Sequence, residues 1–454
     1  MAFTSRDRSA SPTLDSRLRN ILSNLGWLVG GKGLGAVCSI IYLAVLARSL
    51  GIKDFGHFSL IFGTGQALVA LAGFQTWQTV VRYGAGPIHA GDHESFGRLS
   101  LMCGLIDALG AASGCVLAAI IYYGFADELG LNPDFVNMTF AFNCALLWAR
   151  TTAAAGILRV LDRFDISVFV EAIVPISRLL AAFAIWATGP SVLAFLIAWA
   201  AIDLITSAIY WIAAWRLAPD ALRLSHFGQF RKTIDTYPGI LRFLGITYAG
   251  SSMDALFKQG PLLAVGFFLS TSAAGIYRLA DQLAQGLSKL SALLARALYS
   301  EIANANVAET RKHFKRLVAR VSIMASLGGL IILLIAAIGG RQILDLIGGD
   351  AFSAGHTVLI PLALGCSLEL ASIAYEPVLH ATGRAILSLF SRLCAIAIGI
   401  TAGFFLLQYG SPGIAWSVAV GYLGGFIVIT AITWRVLSGD HVEDGDSTPQ
   451  TDSI

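Results

Sequence analysis

About twelve stretches of this chain are apolar for long enough to cross a hydrocarbon core, near 24–47, 57–81, 99–125, 138–158, 168–187, 191–215, 243–269, 276–300, 317–339, 357–381, 385–407 and 414–436. A crossing takes about 20 residues at a rise of about 1.5 Å each. Backbone groups inside lipid have no water to bond, so segments of this length must satisfy themselves as helices. The expected fold is an all-α polytopic membrane protein. Composition agrees, with 56% hydrophobic residues and only 13% charged, where a soluble domain carries about 25% charged.

The second half replays the first at an offset of roughly 219 residues. Gly56, Phe58, Leu60 and Gln66 recur as Gly275, Tyr277, Leu279 and Gln285, and Arg163, Ser167 and Phe169 as Arg384, Ser388 and Phe390. Six spans per half is an even number, so both halves enter the membrane in the same sense. Two parallel-related six-helix bundles around a central cavity follow. The expected divisions are a cytoplasmic N-terminal segment 1–23, bundles 24–215 and 243–437, a linker 216–242, and a disordered tail 438–454. With the N-terminus inside, the inner segments hold about 20 Lys and Arg and the outer loops about three (Arg48, Lys53, Arg341). That asymmetry predicts both termini on the cytoplasmic side.

Several function classes drop out. The net charge of +3 is too small for a nucleic-acid partner, and no basic cluster is interleaved with aromatics. The six cysteines fall in apolar runs without CxxC pairing, and the eight histidines form no HExxH, so no metal site or cofactor is expected. Gly26 to Gly33 nearly spells a phosphate loop, but it lacks the final Ser/Thr and lies in a membrane helix. A transporter, not an enzyme, is the reading.

Charge inside a bilayer costs about 2.5–3.5 kcal/mol per residue on insertion scales, so it should face protein or water. The eighth span carries Arg278, Gln282, Gln285, Lys289 and Arg296 on one helical face. Counted from the span's expected start, Lys289 lies about 20 Å down. Arg278 and Arg296 have a competing explanation as snorkelling residues. Asp254 and Lys258 are spaced for a helical ion pair, and Glu171 and Arg178 share a face across Pro175. Glu369, Ser372, Glu376 and His380 form another stripe. Lys32, Arg150, Asp107 and Asp203 are single signals. The candidate anion-binding set is Lys32, Lys258, Arg278, Lys289, Arg296, Arg150 and Arg178, with Asp254, Glu369 and Glu376 as candidate ion-coupling groups.

The run Leu46-Ala47-Arg48-Ser49-Leu50-Gly51-Ile52-Lys53-Asp54-Phe55-Gly56-His57-Phe58 resembles the first loop of Wzx-type polysaccharide flippases. These share a superfamily with MATE exporters and lipid II flippases. Met253-Asp254, Gly275-Ile276-Tyr277-Arg278 and Ile343 to Phe352 are similar to later parts of the same family. The resemblance implies an undecaprenyl-pyrophosphate-linked oligosaccharide moved between leaflets of the bacterial inner membrane, with membrane lipids around it and a polymerase and chain-length regulator in the same pathway. Two other functions stay open on the residues. One is an ion-coupled small-molecule exporter, which would want acidic cavity walls. The other is a membrane-embedded glycan polymerase or ligase, which would want a larger outer loop than the longest here, about 17 residues near Gly340 to His356.

Overall fold

The computed structural model describes residues 14–125, 133–219, 222–223, 225, 229–303, 311–381 and 384–438, and all regular structure among these residues is helical. In chain order the helices are α1 (Leu14–Ala72), α2 (Thr76–His89), α3 (His93–Ala119), α4 (Pro133–Trp148), α5 (Thr152–Val160), α6 (Phe164–Thr188), α7 (Val192–Leu217) and α8 (Phe230–Thr236). They continue as α9 (Ile240–Phe268), α10 (Thr271–Ala303), α11 (Arg311–Gly348), α12 (His356–Ala371), α13 (Tyr375–Ala381), α14 (Ala385–Leu406) and α15 (Gly410–Ser438). The expected tail beyond Ser438 and the first thirteen residues lie outside the described residues.

Among the described residues, seven segments are long and apolar enough on their own to cross a membrane, and two of them, Gly35–Ala72 and Ile386–Leu437, each take in parts of two expected spans. The fourth, seventh and eighth expected spans are not among the seven; the fourth is divided between helices of 16 and 9 residues. Large apolar side chains cover the outside: Phe404 is 83% exposed, Ile338 77% and Ile386 75%. Such a surface suits a lipid solvent and would be a liability in water.

The first two spans are arms of α1, which turns at Gly51 with φ 70°. A Cβ at Gly51 would meet nothing within 4 Å, so only the backbone demands glycine. Gly51→Ala should therefore lower the thermal midpoint in detergent by the equivalent of about 1–3 kcal/mol, because φ 70° with ψ 177° is a conformation essentially reserved for glycine.

Hydropathy smoothed over three real interruptions. The second span, expected at 57–81, stops at Ala72 and resumes as α2. The fourth is split into α4 and α5 by residues 149–151, and the tenth into α12 and α13 by residues 372–374. Broken helices survive at membrane depth only where protein groups satisfy the freed backbone. The eighth span is longer than expected, running from Thr271 to Ala303 as α10.

The breakpoints repeat as the letters do. The turn at Gly51 has its counterpart at Ser270, between α9 and α10. Arg163 precedes α6 as its N-cap, and Arg384 precedes α14 in the same position. Gly189 after α6 and Gly410 before α15 both have positive φ, 123° and 70°.

The chain divides into two compact units, residues 1–259 with 346–349, and residues 260–345 with 350–454. The division falls inside α9, just before Pro261. In the first unit a large apolar core joins α2, α3, α5, α7 and α9 through Val80, Phe96, Leu99, Ile157, Ala214 and Leu244. In the second, Val318, Tyr375, Val378 and Leu437 form a smaller core.

Candidate functional site

In the first unit, the two isolated signals Arg150 and Asp107 belong to one polar layer. Arg150 lies in the break between α4 and α5, and its guanidinium donates to the carbonyl of Val69 at 2.7 Å and of Phe74 at 3.3 Å. It thereby caps the end of α1, where freed carbonyls and the negative end of the helix dipole favour a cation. Asp107 of α3 accepts from Thr76 Oγ1 at 2.9 Å, Thr152 Oγ1 at 2.5 Å and the Ala153 N–H at 2.9 Å. Its carboxylate thus sits at the N-termini of both α2 and α5, where negative charge is stabilised. Hydropathy cannot reveal such a layer. The legible trace is a threonine as the first residue of each restarted helix, Thr76 and Thr152.

Arg178 does not work with Glu171, as the shared helical face predicted. Its Nη2 donates to both oxygens of Asp203 on α7, at 2.8 and 3.0 Å, and Glu171 is exposed. The rings of Phe62 and Trp199 lie 5.8 and 5.5 Å from the same guanidinium carbon. This is a neutralised pair in an aromatic wall. Asp203→Asn should lower stability by about 2 kcal/mol, because it leaves a half-buried cation without its counter-charge. Denaturant midpoints in detergent would measure this. On α9, Asp254 is half-buried and Lys258 is exposed.

In the second unit, Arg278 is 8% exposed, and its Nη1 lies 3.5 Å from Asp281. The Gln282 side-chain oxygen, in its hydrogen-bonding orientation, accepts from Arg278 at 2.8 and 3.2 Å. Gln285 donates to Asp281 at 2.9 and 3.0 Å. Arg278, Gln282 and Gln285 of the expected stripe thus share one network on α10 with Asp281, an acid the stripe reading passed over. Lys289 differs from Arg278. It is exposed and has no ion-pair partner among the described residues.

The expected stripe Glu369, Ser372, Glu376 and His380 does not exist as one face, because the helix is interrupted at 372–374. Glu369 is exposed at the end of α12, with Tyr422 Oη at 3.5 Å. Glu376 on α13 is bound by Arg392 of α14, whose Nη2 lies 2.8 Å from each oxygen. The side chains of Lys32 and Arg296 lie outside the described residues. The structure therefore gathers the candidate cations into separate local networks. Lys289 and Lys258 are the exposed ones without an ion pair among the described residues.

A family model described as "Polysaccharide biosynthesis protein" matches residues 21–303. The inner membrane protein YghQ of Escherichia coli (strain K12) is 23% identical over 350 residues, covering 76% of this chain and 97% of that protein. An inward-facing multidrug resistance MATE family transporter of the MOP superfamily matches with a TM-score of 0.65 and 14% identity, over 88% of this chain and 94% of that one. The lipid II flippase MurJ, in an inward closed conformation, matches with a TM-score of 0.65 and 12% identity, over 89% of this chain and 86% of that one. At such identities the fold is what is shared.

Proposed function

Because the chain belongs to the polysaccharide biosynthesis protein family and has the multi-pass fold of MATE transporters and the lipid II flippase, we propose that it is a flippase for an undecaprenyl-pyrophosphate-linked oligosaccharide. It carries the headgroup from the cytoplasmic to the periplasmic leaflet by alternating access, with both termini in the cytoplasm.

Lys289 carries this reading. The pyrophosphate is an anion that needs cations in a low-dielectric path, and an exposed ammonium on α10 with no ion pair among the described residues is suited to meet it. Counted along α10, Lys289 lies about 27 Å from Thr271 and about 21 Å from Ala303, so it stays near the middle of the helix, where a headgroup passing between leaflets is furthest from water. Arg278 lies on the same face about 16 Å further out, already held by Asp281 and Gln282. An inside-negative potential favours moving two negative charges outward by roughly 4.6 kcal/mol per 100 mV. Voltage can therefore drive the transfer in this scheme, and coupling through Asp254, Glu369 or Glu376 is a separate addition.

The test is reconstitution in liposomes with a fluorescent lipid-linked oligosaccharide, scoring its accessibility in each leaflet. Absence of protein-dependent transfer, with efflux of cationic dyes instead, would replace this reading with that of an exporter.

A further inference from the structure

Two interrupted helices lie side by side in the first unit, and one carboxylate serves both. The second span breaks between Ala72 and Thr76, and the fourth between Trp148 and Thr152. Asp107 of the unbroken α3 accepts from Thr76, from Thr152 and from the Ala153 N–H, and the two threonine hydroxyls are 2.7 Å apart. Beyond this layer α2 and α5 are packed backbone to backbone. A Cβ on Gly156 would stand 2.9 Å from Trp77 Cα and 3.0 Å from the Trp77 carbonyl oxygen. The Arg159 guanidinium on α5 also lies 4.2 Å from the centre of the Trp77 ring on α2. On the other side of the layer, Arg150 spans the first break by holding both Val69 and Phe74 carbonyls.

A continuous helix is stiff because every turn is bonded to the next, and sharp bends concentrate where that ladder is interrupted. Both breaks fall at the same layer, so bending there is easier than elsewhere along these two spans. A movement of α2 without α5 would strip Asp107 of donors on one side. A carboxylate short of donors in a low-dielectric interior is costly. We propose that α2 and α5 form one lever that pivots as a unit on the Asp107–Arg150 layer, carrying Arg82 and Arg159 with it.

Electron dipolar spectroscopy in nanodiscs can test this, with the six cysteines (Cys38, Cys103, Cys115, Cys144, Cys366 and Cys394) replaced by alanine. Spin labels at Lys53→Cys and His89→Cys, both exposed, bracket the break in the second span. Labels at His89→Cys and Asp162→Cys mark the far ends of α2 and α5. The first pair should show two distances and the second pair one. Thr152→Val, a change on α5 that removes the hydroxyl shared with Asp107 and Thr76, should shift the two populations of the first pair about tenfold, the effect of one hydrogen bond to a charged acceptor. Thr152→Ser, which keeps the hydroxyl, should leave them in place. A single Lys53–His89 distance, a second pair that varies on its own, or populations indifferent to Thr152→Val would each overturn the lever.

Amide exchange over residues 76–89 reads the same coupling in the cysteine-containing chain. It should rise roughly tenfold in Thr152→Val, and unchanged exchange would overturn the proposal. Should Thr152→Val not fold, Thr76→Val reads the coupling from the other side, through exchange over residues 152–160.

Discussion

Lys289→Ala is expected to slow outward transfer of the labelled lipid-linked oligosaccharide by about 10- to 100-fold, the value of a charge-assisted hydrogen bond to a phosphate oxygen. The thermal midpoint should hardly move, because the side chain is exposed and no described residue relies on it for an ion pair. Lys289→Arg keeps the cation and should retain most of the rate, whereas Lys289→Gln should behave like alanine. The contrast with Arg278→Ala is informative. Removing that 8%-exposed guanidinium takes a nearby cation from Asp281 and a donor from Gln282, and should lower stability as well as rate. Transfer by Lys289→Ala at the unaltered rate would remove this residue from the anion path.

The letters made the helical class legible because the bilayer leaves so few options. The recurrence of Arg163 as Arg384 survives as the same position ahead of α6 and α14. What the letters could not show is where a span is interrupted. A sliding window averages Gly73-Phe74-Gln75 and Ala149-Arg150-Thr151 with the apolar residues around them, and the breaks exist because side chains from other helices satisfy the freed backbone. Long-range pairing was hidden for the same reason. Arg178 and Glu171 lie seven residues apart on one helix, but the partner that satisfies Arg178 is Asp203 on the next one. Helical periodicity places residues on a face and is silent about what that face meets. Lys289 stands out in the letters by its depth along an apolar span, and the structure adds that its side chain is exposed.

Gly73→Ala should be strongly destabilising, lowering stability by about 3 kcal/mol or more. A Cβ there would fall on the Arg150 guanidinium and stand 2.6 Å from the Val69 carbonyl oxygen. The backbone cannot yield, because the Gly110 position on α3 already presses on the Ala72 carbonyl. Arg150 must then leave, and the Val69 and Phe74 carbonyls lose their donor, each at about 1–3 kcal/mol if left unsatisfied. Arg150→Ala alone should show much of the same loss by that route. The double variant should therefore be less destabilised than the sum of the two singles, by about 1–2 kcal/mol, since the second change removes an interaction already broken. Denaturant titration of the four proteins in one detergent gives the cycle directly. Strict additivity would mean that Gly73 and Arg150 act separately, and that the break in the second span is held open by something other than the guanidinium lodged in it.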